Sequence, residues 1–246
     1  MQTQVIPYLR ELVKDGHDIT LLTFEPGKVE VAASELAPDG IRWRHLKYHK
    51  RPSVPATAFD VYNGARLIRR LIREENIDLL HARSHVPMLM AALAREYSKK
   101  RPKLLFDIRG FFPEEYTDAG IWPENGWLYK MTKRVERWLL RKADGFVVLT
   151  EKAKQILFAD ETRPVEVIPC CVDLTRFSKA DEGTRSRKRS ELGIGKRKTV
   201  VYVGATGGWY MTEEMADLFG EFKATQPDGF TMILTQSDPE TIEPLL

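Results

Sequence analysis

Phe106-Asp-Ile-Arg-Gly-Phe-Phe-Pro-Glu-Glu-Tyr-Thr-Asp-Ala-Gly-Ile-Trp122 follows directly on the apolar run Lys103-Leu-Leu-Phe106. The run reads as a buried strand, and a polar loop shaped by proline, glycine and aromatics leaves its carboxyl end. Open α/β sheets bind their ligands where strands end and loops begin. Asp107, Arg109, Gly110, Glu114 and Glu115 crowd into nine residues at that place, the pattern of an enzyme acting on a polar substrate.

The reading extends outward in both directions. Upstream, residues 85–97 read as a helix with Met88, Leu89, Ala92 and Leu93 inward, and Ile77-Asp-Leu-Leu-His81 as a short strand. A helix across 57–74 carries Val61, Ala65, Ile68 and Ile72 on one face. Ile41-Arg-Trp-Arg-His-Leu46 alternates like a strand near an edge, and Asp18-Ile-Thr-Leu-Leu-Thr-Phe24 reads as another strand. The chain opens on a helical face of Val5, Ile6, Leu9, Leu12 and Val13, closed by Gly16. Downstream, a helix over about 125–142 carries Leu128, Met131, Val135, Trp138 and Leu139 on one side. Gly145-Phe-Val-Val-Leu149 and Val165-Glu-Val-Ile168 are strands, and Thr150 caps the helix between them.

Strands alternating with helices predict an α/β domain with a doubly wound parallel sheet over residues 1–172. Residues 173–196 change character; Thr184-Arg-Ser-Arg-Lys-Arg-Ser190 reads as a linker or an exposed helix. A second α/β pattern begins with strand 198–203, helix 211–224 and strand 230–234, and a further helix is expected to start before Leu246. Such a domain normally opens on a strand that becomes central in its sheet, whereas this chain opens on a helix. The expectation is a fragment that lacks the first strand and most of the second domain. An authentic start with a rearranged sheet is the alternative.

Composition narrows the function. The 246 residues exceed the roughly 100–150 of one domain. At 43% apolar and 30% charged the chain falls among globular proteins. A formal charge of +3 is too weak to imply nucleic acid as a partner, but it is compatible with phosphates or an anionic membrane surface. No apolar run reaches the ~18 residues of a membrane span. Adjacent Cys170 and Cys171 fit neither a disulfide framework nor a zinc site and read as reduced thiols in a cytoplasmic protein.

Five stretches in order carry a family likeness: Tyr8-Leu-Arg-Glu-Leu-Val-Lys-Asp-Gly-His-Asp-Ile-Thr-Leu-Leu-Thr23, Ile77-Asp-Leu-Leu-His-Ala-Arg83, Ala143-Asp-Gly-Phe-Val-Val-Leu-Thr-Glu151, Val167-Ile-Pro-Cys-Cys-Val-Asp-Leu-Thr-Arg-Phe177 and Val201-Tyr-Val-Gly204. Together they resemble the retaining nucleotide-sugar glycosyltransferases of the fourth sequence family, GT-B enzymes with two Rossmann-like domains. The resemblance implies an acceptor-side domain over 1–172 and the beginning of a donor-side domain over 197–246. It implies sugar transfer from a nucleotide-sugar to a glycan or lipid-linked acceptor with retention, in cell-surface polysaccharide or glycolipid synthesis. The nucleotide-sugar is a substrate; no cofactor and no metal is implied. The leaving donor phosphate assists the reaction in place of a protein nucleophile. The chain departs from the family pattern in four places. The glycine-rich first loop would lie upstream of Met1, and the two donor-gripping glutamates separated by seven residues would lie beyond Leu246. Glu213 and Glu221 share that spacing but fall on the first helix of the second domain. The donor-phosphate Arg and Lys are not evident, and Arg109 stands where the family often has His. The fragment is therefore expected to be inactive alone. A nucleotide-sugar epimerase of similar architecture and a non-catalytic adaptor domain are the rival readings.

Arg109 is the catalytic candidate, since its planar fork suits a bidentate grip on phosphate or carboxylate. An ion pair with Asp107, Glu114 or Glu115 is the plainer alternative. Substrate-binding candidates are His81, Arg83, Asp107, Gly110, Glu114 and Glu115, with Asp107 expected to point away as an architectural anchor. Gly204, Gly207 and Gly208 precede a helix and are donor-phosphate candidates, or else a tight turn. Helix 125–142 carries Lys130, Lys133, Arg134, Arg137, Arg141 and Lys142 opposite its apolar stripe, near Trp122, Trp127 and Tyr129. It reads either as a peripheral contact with the inner face of a membrane or as a helix with one buried and one solvated face.

Overall fold

A computed structural model describes residues 5–27, 37–172, 181–207, 210–238 and 240. In chain order its elements are α1 (Ile6–Lys14), β1 (Ile19–Glu25), β2 (Ile41–Lys47), α2 (Ser53–Glu74), β3 (Leu79–Arg83), α3 (His85–Glu96), β4 (Lys103–Asp107), α4 (Phe112–Asp118), α5 (Trp127–Lys142), β5 (Gly145–Val148), α6 (Glu151–Phe158), β6 (Val165–Val167), α7 (Glu182–Glu191), β7 (Thr199–Val203), α8 (Thr212–Thr225) and β8 (Phe230–Leu234). Among the described residues every strand pair is parallel, and the fold is α/β. The chain divides into two compact units: Met1–Phe112 with Lys130–Val172, and Pro113–Tyr129 with Asp173–Leu246.

The first unit holds two ladders, β1–β2 and β3–β4–β5–β6. Among the described residues no ladder joins β1 to β3. The core lies along β4 and β5, where Leu104, Phe106, Phe146 and Val148 are sealed under Met88 and Ala92 of α3, Leu139 of α5 and Phe158 of α6. β5 is buried at all four positions, as a parallel strand covered on both faces should be. Helices α2 and α3 pack closely because Gly64 leaves room: a Cβ there would meet Met90 Sδ at 2.5 Å and Phe24 Cζ at 3.2 Å.

Polar side chains fix the turns. Asp60 accepts both the backbone N–H (2.9 Å) and Nδ1 (2.6 Å) of His49, tying the β2–α2 connection to the helix. Asp144 accepts the Leu104 amide at 2.8 Å and pairs with Arg95 at 2.8 Å, which seats the start of β4. Arg163 donates to the carbonyls of Leu140 (2.8 Å) and Ala143 (2.7 Å), satisfying the end of α5. Thr150 caps α6 as expected, its Oγ1 accepting the Ala153 amide at 3.0 Å.

Several boundaries move. α2 starts at Ser53 instead of 57, because Pro55 falls in its first turn, where its missing N–H costs nothing. β3 starts at Leu79 instead of Ile77: Asn76 takes a left-handed φ of 51° to close α2, and the Asp78 carbonyl then accepts the Lys103 amide. On α5, Met131 is exposed and not inward, while Glu136 occupies a buried position. Residues 182–191 form an exposed helix capped by Asp181, whose Oδ1 accepts the Thr184 amide at 2.6 Å. In the second unit β7 pairs with β8, and Phe219 of α8 is buried. Gly208 and the helix expected before Leu246 lie outside the described residues.

Candidate functional site

The strand pairing brings the sequence candidates together. Arg83 at the end of β3 lies in register with Asp107 at the end of β4. His81, two residues back, approaches Asp107 with Nε2 3.5 Å from Oδ2. Arg109, two residues beyond β4, donates from Nη1 to Asp107 Oδ1 at 3.3 Å. The expectation that Asp107 points away is therefore corrected: its nearly buried carboxylate is the hub on which His81 and Arg109 converge. Burial alone pushes this carboxyl up. The His81 hydrogen bond and the Arg109 charge outweigh burial and hold it below its ordinary range.

Two further side chains complete the cluster. Arg109 Nη2 donates to Cys170 Sγ at 3.2 Å, so a thiol from the turn after β6 braces the guanidinium. Both cysteines are free. Tyr8 of α1 sets its ring edge-on to His81, centroids 6.2 Å apart. Burial, followed by the Asp107 charge, raises the Tyr8 phenol above its usual range. Gly110 follows Arg109 in the turn toward α4.

Behind this cluster lies a buried one that the sequence reading missed. His85, the first residue of α3, places Nε2 3.1 Å from Glu136 Oε1, and Lys133 pairs with the other carboxylate oxygen. Burial pushes Glu136 up; its bonds to His85 and Lys133 overcome this and hold the carboxyl below the usual range. The His85 ring stacks on Phe112 at 5.4 Å and meets Phe106 edge-on at 5.2 Å. Ser84 precedes it at φ 75°, a left-handed conformation uncommon for a residue with a Cβ. Its amide donates to the Asp107 carbonyl at 2.8 Å, locking the β3–α3 turn to the end of β4.

The remaining candidates belong to the second unit. Glu114 and Glu115 lie in the first turn of α4, and Tyr129 donates to Glu114 Oε1 at 3.1 Å. Gly207 has φ 75°, and its amide donates to Thr212 Oγ1 at 2.8 Å. The Gly204 amide donates to the Leu234 carbonyl at 3.1 Å. In this structure the Gly204 N–H extends the β7–β8 ladder and the Gly207 N–H is taken up by the first residue of α8.

Solved structures with a similar arrangement include the S. aureus MnaA–UDP co-structure, at 12% identity and TM-score 0.49, covering 92% of this chain and 64% of that one. A putative UDP-N-acetylglucosamine 2-epimerase from Listeria monocytogenes matches at 15% identity and TM-score 0.48, covering 89% and 62%. The chain thus spans less than two thirds of the length of either. No curated protein matches. The family model of Glycosyltransferase Family 4 matches residues 1–176, taking in β1 to β6 and every member of the His81–Asp107–Arg109 cluster, and the chain belongs to that family.

Proposed function

We propose that the protein takes part in sugar transfer from a nucleotide-sugar donor to a glycan or lipid-linked acceptor, with retention at the anomeric carbon. Cell-surface polysaccharide or glycolipid synthesis is the setting this reading favours. The observation that carries it is the linked His81–Asp107–Arg109 cluster at the carboxyl ends of β3 and β4, where α/β sheets hold polar ligands.

Each residue has a role that its surroundings support. Asp107, held ionised by the His81 hydrogen bond and the Arg109 charge, serves as an anchor and hydrogen-bond acceptor, not as a proton carrier near neutral pH. His81 and Arg109 are oriented by it. The Arg109 fork spends one N–H group on Asp107 and one on Cys170. Its remaining N–H groups are available to an anionic substrate group or to charge developing on a departing phosphate. Preorganised donors of this kind stabilise a transition state because they need no reorganisation when charge appears. His81 is placed to position an acceptor hydroxyl, and positioning lowers the barrier by removing orientational freedom beforehand.

The test uses the polypeptide as expressed from its gene, with a panel of radiolabelled nucleotide-sugars and a lipid extract as acceptor. Label passing into lipid or glycan, with the anomeric configuration of the donor preserved by NMR, is the expected result. The same incubations are followed for interconversion of UDP-N-acetylglucosamine and its 2-epimer. Epimerisation without transfer overturns the transferase reading in favour of the epimerase. Neither activity, with no nucleotide binding by calorimetry, favours the adaptor.

A further inference from the structure

Helix α2 carries a surface that the candidate site does not use. Pro55, Phe59, Tyr62, Arg66, Arg69 and Arg73 recur at steps of three or four and form one stripe on a helix roughly 33 Å long. The amino-terminal half of the stripe is apolar and aromatic. Val54, Phe59 and Tyr62 are 56%, 52% and 64% exposed, an unusual display for side chains of this type on a packed helix. The carboxyl-terminal half is cationic. There the helix borders an open groove of about 1050 Å³ whose lining includes Arg66, Arg69, Arg70, Arg73, Lys99 and Lys100. Glu74 is the carboxylate among the lining residues, and it is shared by Arg70 and Arg73. Lys100 is committed to Asn76 and Asp78. Arg66, Arg69 and Lys99 keep their charges for a partner. Tyr97, 67% exposed, stands on the same rim. The groove lies where α2 and α3 lead into β3 and β4, at the ends of those strands opposite His81 and Asp107.

We infer that this face of α2 docks the protein on an anionic membrane surface. Val54, Phe59 and Tyr62 enter the headgroup region, and the arginines and Lys99 contact lipid phosphates. Apolar and aromatic side chains beside a cationic cluster suit an interface that is greasy below and negatively charged above. A polyphosphate or nucleic-acid backbone would engage the arginines but give Val54, Pro55 and Ala58 nothing to bury against. On helix α5, the basic helix singled out from the sequence, Lys133 is paired with Glu136 and Lys142 with Glu96, and Arg137 donates to the Lys133 carbonyl. No described helix is long and apolar enough to cross a bilayer, so the contact is peripheral. It does not depend on the proposed transfer reaction.

Co-sedimentation with vesicles tests the surface. The protein should bind vesicles of mixed phosphatidylcholine and phosphatidylglycerol, bind phosphatidylcholine alone weakly, and release as salt rises. Arg66→Gln/Arg69→Gln/Arg73→Gln should weaken binding to the anionic vesicles roughly 100-fold, since each basic residue near such a surface is worth about fivefold. Phe59→Ser/Tyr62→Ser should also weaken it and make the residual binding more salt-sensitive. Arg134→Gln/Arg141→Gln on α5 should leave it unchanged. All these positions are exposed, and circular dichroism checks that the variants fold. The inference is overturned by equal binding to neutral vesicles, by no binding at all, by an unaffected arginine variant, or by binding of inorganic polyphosphate without any vesicle binding.

Discussion

Asp107 organises the end of β4, because its carboxylate contacts both the imidazole of His81 and the guanidinium of Arg109. If Arg109 meets developing charge on a leaving phosphate, Arg109→Ala should slow transfer by roughly 30- to 1000-fold, the loss of about 2–4 kcal/mol of transition-state stabilisation. Arg109→Lys should recover only part, since a point charge does not reproduce a planar fork. Steady-state kinetics of the purified variants measure both, and near-parent turnover in Arg109→Ala would make the residue structural. These residues were legible in the sequence because each lies at, or within two residues of, a strand end. The Arg109–Asp107 ion pair was there as well, as the plainer alternative for Arg109; the His81–Asp107 contact was not, and Asp107 was given the wrong direction. Cys170 and the His85–Glu136 pair were not legible either: the partners lie 61 and 51 positions apart, and local spacing says nothing about such distances. One signal was present. Glu136 stands between Val135 and Leu139 in the apolar stripe of α5, and a carboxylate in such a place needs a buried cationic partner.

At the scale of elements, periodicity located most described helices and strands to within a few residues; α4 instead forms inside the stretch that reads as a polar loop, and residues 182–191 read as a linker or an exposed helix. Gly64 shows what periodicity does not weigh. As a helix-interior glycine it lowers helix stability by up to about 1 kcal/mol relative to alanine. Yet a Cβ there would press on Met90 and Phe24. Gly64→Ala should therefore destabilise the protein by about 1 kcal/mol net, overpacking exceeding the gain in propensity; a rise in the thermal midpoint would show that Met90 yields freely. Arg163 makes a comparable point at the end of α5. Its bonds to the Leu140 and Ala143 carbonyls and its position over the Phe146 ring join helix, strand and turn. Arg163→Ala should cost on the order of 2 kcal/mol. Arg163 also holds the Glu161 carboxyl down from 4.5 to about 2. A depressed acid contributes stability above its unfolded value and loses it as pH falls through the folded one. Denaturant titrations should thus show this contribution complete above about pH 4.5 and fading toward pH 2, with a shallower decline in Arg163→Ala.

For the whole molecule, the two units differ in how much apolar surface they seal. Both were expected to be α/β; the second compact unit takes in Pro113–Tyr129 as well as Asp173–Leu246. What composition did not convey is the imbalance in their cores. The first unit closes Leu104, Phe106, Phe146, Val148, Met88 and Leu139 into one cluster. Among the described residues from 181 onward, Ile194 and Phe219 are the buried apolar side chains, while Val201, Val203, Leu218 and Leu234 remain exposed. The β7–β8 ladder has two strands, and an isolated pair of strands has little independent stability. Opening free energies within a native protein follow such local differences in burial. Hydrogen exchange read by mass spectrometry should therefore show amides of β7, β8 and α8 exchanging well before those of β4, β5 and α3. The β1–β2 ladder, not joined to β3, should fall between. Equal protection across β4 and β7 would mean that the second unit is stabilised by something other than its own buried side chains, and would overturn the ranking.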